Sequence, residues 1–387
     1  MSDFLKHLKK TWDTVADPKK IAHSAKGAPL VYAVKTGNFT RVEELKAKGY
    51  DLNSYSVTGQ TPFHEALAVG NIRMAQHLVK LGANPLLPLK EPHIYKNPIH
   101  LAIHKNIVNA IGYLKALGFG LNEVEENGWT PLDHAVNKNN PEMVKALIEA
   151  GADPLLSSQN NRNIAVNAVA DRKTDVVKAL LLNPRAHAAF SDAFYKQAGV
   201  GKIDPPLIMA ASRKYHEITK LILSCGFNIN QRDAGGRTPL HHAVLNQDID
   251  LLKGLLKRGA DINDVKDKDG MNPFHLLCMR PQTSGQEFFD EAFELFLDYG
   301  ADINCDMKPS EDKDGMYLSV LDYALCNRLP EVAGKFLDAG ADPWIQYKSG
   351  KSLYELGING RDANMAQIFR NKVETRSGQK SKKAAPK

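Results

Sequence analysis

The hexamer Thr61–Ala66, TPFHEA, returns in altered form at nine further places, beginning at Ala28, Asn97, Thr130, Asn163, Pro205, Thr238, Asn272, Ser319 and Ser352, most often 33 residues apart. A chain with that period cannot be organised around one shared centre. Each unit is too small to bury an apolar face alone and must be shielded by its neighbours. A second marker keeps phase with the first, because a glycine falls 21 residues after the hexamer start at Gly49, Gly82, Gly118, Gly151, Gly226, Gly259 and Gly340. Ten units result, each predicted to open a helix at the hexamer, turn, and close a second helix where glycine adopts the left-handed conformation without steric penalty.

The hexamer's chemistry can be read position by position. Thr61, Asn97, Thr130, Thr238 and Asn272 offer a side-chain oxygen to the free N–H groups of a helix start. Proline follows in seven units (Pro29, Pro62, Pro98, Pro131, Pro206, Pro239, Pro273), where its fixed φ suits the first turn and its missing N–H costs nothing. Core residues come next, such as Leu30, Phe63, Leu132 and Leu240. Alanine closes the hexamer in eight units, from Ala33 to Ala324, as expected where two helices leave no room for a longer side chain. The second helices carry apolar pairs such as Leu78 with Val79 and Leu255 with Leu256.

Thr238-Pro239-Leu240-His241-His242-Ala243 and Gly259-Ala260-Asp261-Ile262-Asn263 resemble the signature of the ankyrin repeat, and the resemblance runs from about residue 28 to 370. It implies an all-α solenoid of stacked helix-turn-helix units with β-hairpin-like fingers, which binds other proteins through a concave face formed by fingers and first helices. The fifth unit departs from the pattern, since Asn163-Ile164-Ala165 lacks the proline and Pro184 stands in place of the glycine; in the eighth, Leu277 replaces the alanine.

Composition narrows the function classes. The net charge of +6 resides in the ends: residues 370–387 hold seven Lys or Arg against one acid, residues 1–27 hold six lysines against three acids, and the array between carries −3. A continuous basic groove for nucleic acid is therefore disfavoured. The four cysteines show no paired spacing and read as reduced thiols. No apolar run reaches the roughly 18 residues of a membrane span, and residues 1–27 do not read as a secretory signal. Phe4, Leu8, Trp12 and Val15 recur at helical spacing with Lys6, Lys9 and Lys10 between them, an amphipathic helix suited to capping the first unit; contact with an anionic membrane is the second reading.

The expected organisation is a capping helix at 1–27, repeats one to five at 28–183, an insertion at 184–204, repeats six to ten at 205–370 and a disordered basic tail at 371–387. The insertion contains Phe190, Phe194 and Tyr195, enough for a short extra helix. Longer connections also precede Asn97 and Ser319, and Pro281–Gly285 separates the helices of the eighth unit; such insertions map to loops.

No catalytic, cofactor or metal site is expected. His64, His100, His241 and His275 share one hexamer slot that Asp133 and Asp322 take elsewhere, so their repetition makes them structural, bonded to a neighbouring turn or unit. No phosphate-binding loop, nucleophile elbow, zinc helix or kinase signature is present. Residues shortly before each hexamer belong to the finger tips, and Tyr95, Asn127, Trp129, Arg237, Lys268, Met271, Lys348 and Lys351 are the partner-binding candidates. Trp129 and Arg237 lead, since aromatic and guanidinium groups dominate binding hot spots; Trp129 is equally suited to lying flat on the adjacent finger. Glu125, Glu126 and Asp233 nearby favour a basic or mixed partner. The resemblance further implies that Asn53 and Asn263 occupy the position at which ankyrin repeats are hydroxylated by a cytosolic dioxygenase.

These readings converge on a noncatalytic, cytoplasmic, monomeric scaffold that binds a protein or peptide partner without a cofactor. Two alternatives stay open. One is an effector of an intracellular bacterium acting in a host cytosol, with the basic tail as export signal or nuclear address; the other is an enzyme with its site in the 184–204 insertion.

Overall fold

A computed structural model of the chain describes residues 28–90, 97–124, 128–156, 164–184, 186–187, 204–263, 267–279, 285–305, 319–346 and 350–374. The expected capping helix, the extra helix at 190–195 and the loop at 281–284 lie outside those residues. Among the described residues twenty α-helices form ten pairs, each opening at a hexamer: α1 (Ala28–Lys35) with α2 (Phe39–Ala47), α3 (Pro62–Ala68) with α4 (Ile72–Lys80), α5 (Pro98–His104) with α6 (Ala110–Ala116), α7 (Pro131–Asn137) with α8 (Pro141–Ala150), and α9 (Ile164–Ala170) with α10 (Thr174–Leu181). They continue as α11 (Pro206–Ser212) with α12 (His216–Ser224), α13 (Pro239–Leu245) with α14 (Ile249–Leu256), α15 (Pro273–Cys278) with α16 (Gln286–Asp298), α17 (Val320–Cys326) with α18 (Pro330–Asp338), and α19 (Leu353–Asn359) with α20 (Ala363–Phe369). No strand occurs among the described residues beyond the isolated Gln346–Ser352 bridge.

The chain divides into two compact units, Met1–Ala168 with Asp175–Phe190 and Val169–Thr174 with Ser191–Lys387. In the first unit α1 packs on α3, α3 on α5 and α5 on α7. In the second, α11 packs on α13, α13 on α15 and α17 on α19, while the outer helices α14 and α16, and α18 and α20, also meet. Ala33, Ala66, Ala102, Ala135, Ala210, Ala243 and Ala324 are buried between the stacked first helices, which gives the small side chain its reason. Phe274, Phe289, Phe293, Phe296 and Phe336 fill the heart of the second unit with ring centroids 5.6–5.7 Å apart.

In several pairs both helices start on a side-chain cap. Thr130 and Asp133 satisfy one another reciprocally: the Asp133 amide donates to Thr130 Oγ1 at 3.1 Å and the Thr130 amide to Asp133 Oδ2 at 2.9 Å. The second helices begin at Asn38, Asn71, Asn140 and Asp248, each accepting the amide three residues on at 2.9–3.1 Å. After α20, Arg370–Glu374 forms one π-helical turn in which Val373 is buried and Lys372 pairs with Asp338. Order thus extends past residue 371, where the disordered tail was expected to begin, because Val373 has an apolar seat and Lys372 an ionic one.

A candidate partner-binding face

Among the described residues the finger tips are tight turns closed by glycine at positive φ, at Gly59, Gly128, Gly236, Gly270 and Gly350. In the second unit the turn Asp233–Arg237 is knitted by its own acid. The Asp233 carboxylate accepts the amides of Gly235 at 2.7 Å and Arg237 at 2.8 Å, and its second oxygen meets His242 Nε2 at 3.0 Å. Burial alone would raise the Asp233 carboxyl, but the amides of Arg237 and Gly235 and the His242 ring draw it below its usual value. The next finger repeats the device, with Asp267 Oδ1 accepting the amides of Asp269 and Met271 at 2.9 and 3.1 Å.

Adjacent fingers are tied together. The Lys268 amide donates to the Gly235 carbonyl at 2.9 Å, and Arg237 Nε lies 3.5 Å from Asp267 Oδ2. Gly236 is required here on two counts: its φ is +80°, and a Cβ would stand 3.2 Å from the Asp267 backbone. In the first unit the Lys90 amide donates to the Gly59 carbonyl at 3.0 Å, while the Lys90 ammonium sits 4.0 Å from the Tyr55 ring centre.

The recurring histidines anchor these turns. The Thr238 amide donates to His241 Nδ1 at 3.0 Å, which assigns the ring proton to Nε2, and Nε2 donates to the Met271 carbonyl at 3.0 Å. His275 Nε2 reaches the Cys305 carbonyl at 3.1 Å in the same way. Burial pushes the His241 imidazole below its ordinary value, so it stays neutral. His100 is drawn down to about 4, chiefly by burial and secondly by His134 beside it. Among the described residues no group of His, Cys, Asp and Glu is placed to hold a metal ion.

The sequence candidates fall into three groups. Lys268 and Lys351 are exposed. Trp129, Arg237 and Met271 are half-buried: the Trp129 ring lies against His134 with centroids 5.1 Å apart, Arg237 is held by Asp267, and Met271 packs against the core. Tyr95, Asn127 and Lys348 lie outside the described residues, as do Glu125 and Glu126 and most of the 184–204 insertion. Asp233 does not offer its charge to a partner as expected, because its own turn and His242 consume both oxygens.

Sequence reasoning missed a clasp at the base of the fingers. Asn53, Asn122, Asn230, Asn263 and Asn304 each use Oδ1 to accept a backbone amide of the following unit, from Asn84, Asp153, Asp261, Asp302 and Asp342, at 2.7–3.0 Å. Asn263 and Asn304 also donate through Nδ2 to the carbonyls of Gly300 and Gly340, at 3.0 and 3.2 Å. Aligning the units on their glycines would have revealed these asparagines four residues after Gly49, Gly118, Gly226, Gly259 and Gly300. At the corresponding places Leu86, Leu155 and Trp344 are exposed instead.

Comparison with known proteins agrees with this geometry. The family model for ankyrin repeats in three copies matches residues 86–158 and 163–266, and that for the single ankyrin repeat matches 58–88. The chain is 28% identical over 238 residues to human transient receptor potential cation channel subfamily A member 1, covering 59% of this chain and 20% of that protein. It is 24% identical over 373 residues to the Arabidopsis thaliana E3 ubiquitin-protein ligase KEG, covering 87% and 22%, and 25% identical over 228 residues to the Legionella pneumophila phosphocholine transferase AnkX, covering 55% and 22%. The chain therefore spans about a fifth of the length of these relatives. With those family matches beside its helix pairs, its glycine-closed fingers and its recurring hexamer, this chain belongs to the ankyrin repeat family.

Proposed function

We propose that this chain is a noncatalytic scaffold that binds a protein or peptide partner along its finger row. The coupling of successive turns in the second unit carries this reading: Lys268 to Gly235 through the backbone, and Arg237 to Asp267 through side chains, hold a row of contacts in fixed register before any partner arrives. Preorganised turns lose little entropy on binding. Asp233 and Asp267 are spent inside the turns while Lys268 and Lys351 are exposed, so the second unit's fingers suit a partner that presents carboxylates.

A pull-down comparing wild type with a Trp129→Ala, Arg237→Ala, Lys268→Ala triple variant tests this. Loss of one specific prey from a variant with unchanged helicity supports the reading, and identical prey profiles overturn it. A second reading, a bacterial protein delivered into a host cell, is favoured by the likeness to the Legionella pneumophila protein. Delivery that depends on residues 371–387 would support it. Within either reading, hydroxylation at Asn53 and Asn263 would fall on residues whose amides already clasp the next unit. A gain of one oxygen in intact mass, mapped to those positions, tests it.

A further inference from the structure

Nine residues after the hexamer start, in eight of the described helix pairs, the turn between the paired helices places one residue at positive φ. In the first unit that slot is filled by Gly37, Gly70, Asn106 and Asn139, the residue types that enter the left-handed region at least cost. In the second unit it is filled by Arg172, Lys214, Gln247 and Arg328 at φ 53–57°. Long side chains, three of the four basic, thus stand where the backbone favours glycine or asparagine. Arg361 takes the same sequence place in the last helix pair, nine residues after Ser352.

Arg328 and Arg361 line one polar cavity of about 290 Å³ together with Asp362, Ala363 and Asn364. A second cavity of about 140 Å³ shares both arginines and is floored by Leu325, Leu356 and Met365. Both arginines are exposed, and among the described residues neither guanidinium enters an ion pair. Asp362 is committed to capping α20, its Oδ1 accepting the amides of Asn364 at 3.0 Å and Met365 at 3.1 Å. The groove is therefore basic at one end and apolar at the other.

We propose that this groove binds a short acidic peptide, with a carboxylate held between the Arg328 and Arg361 guanidiniums and an adjacent aliphatic side chain seated on Leu325, Leu356 and Met365. Guanidinium forks match carboxylate geometry, which explains arginine rather than lysine at both places. The apolar recess selects a peptide over a nucleic-acid backbone, whose sugars and phosphates would leave it unfilled. The site is separate from the finger row, since its residues belong to helices α17, α19 and α20 and to the turns that follow α17 and α19.

The test uses the full chain and a fluorescein-labelled peptide with Glu-Leu-Glu at its centre, read by polarisation. Saturable binding is expected, weakened by salt, by Gln in place of Glu, and by Ser in place of Leu. The double variant Arg328→Asn, Arg361→Asn should bind about tenfold or more weakly, with an unchanged melting temperature because asparagine tolerates the left-handed φ at 328 and position 361 is exposed. Arg328→Gly serves as a second variant fitted to the same backbone. Lys268→Ala on the finger row should leave this binding intact. No binding to wild type, equal binding to the double variant, indifference to the Leu change, or equal competition by a single-stranded oligonucleotide of the same charge would each overturn the proposal.

Discussion

The imidazole of His241 joins two successive fingers, its Nδ1 accepting the Thr238 amide and its Nε2 donating to the Met271 carbonyl 3.0 Å away and 30 residues ahead. Both partners are backbone groups that water cannot easily reach. Replacing His241 by alanine should cost about 2 kcal/mol, because two buried polar groups lose their partner. Chemical denaturation of wild type and variant checks this, and an unchanged midpoint would show that the bridge contributes nothing.

Acid should loosen the array through the same hexamer slot. Burial holds the imidazoles of His241 and His100 below their ordinary value of 6.5, the latter at about 4, so on acidification the unfolded chain takes up protons first. Stability is complete above about pH 6.5 and is lost as pH falls toward 4, by about 3 kcal/mol from His100 alone. The lowered carboxyl of Asp233 adds a loss of the same sign at lower pH still. Denaturation midpoints across this range should fall steadily for wild type and less steeply for His100→Asn.

Asn263→Ala removes the acceptor of the Asp302 amide and the donor to the Gly300 carbonyl. Its expected cost is about 1–2 kcal/mol. Hydrogen exchange should accelerate at Asp302 more than at amides of the preceding helix α14. Equal acceleration throughout would mean that the clasp does not act locally.

Two glycines separate backbone strain from steric exclusion. Gly49 has φ +84° with open space where a Cβ would stand, whereas Gly236 at φ +80° would drive a Cβ against the Asp267 and Lys268 backbone. Gly49→Ala should cost about 1 kcal/mol, the left-handed penalty alone. Gly236→Ala should cost distinctly more and weaken partner binding as well. Comparable melting shifts for the two would contradict the crowding.

Phe296→Ala empties a fully buried place beside Phe274 and should cost about 3–5 kcal/mol. In a stack held by nearest-neighbour contacts, the damage should concentrate in α15 to α18. Limited proteolysis should cut there first; cleavage distributed evenly along the chain would argue for one cooperative block.

The helix starts were legible because Thr130 and Pro131 announce a cap and a first turn by chemistry alone, and Gly151 marks the far end. What periodicity gave was the slot, not the direction of the side chain within it. Trp129 occupies a finger slot, yet its ring turns onto His134, and Arg237 is half-covered because Asp267 lies on the next finger. Asp233 looked available to a partner because an isolated sequence does not show that Gly235 and Arg237 point their amides back at it. The asparagine clasps stayed hidden for a related reason: each joins residues at least 31 positions apart through a backbone amide, which leaves no trace in side-chain pattern. Asn38 and Asn71, which start the second helices, were readable by the same capping logic and were overlooked beside the stronger hexamer.

Leu86 and Leu155 stand in the first unit where Asn53 and Asn122 carry clasping amides, and a leucine has no atom that can accept a backbone amide of the following repeat. Stretch applied along the chain would therefore concentrate at those seams, with the apolar contacts between neighbouring helix pairs left to resist it. Links bound by an amide hook would yield afterwards, making the first unit a spring with built-in weak coils.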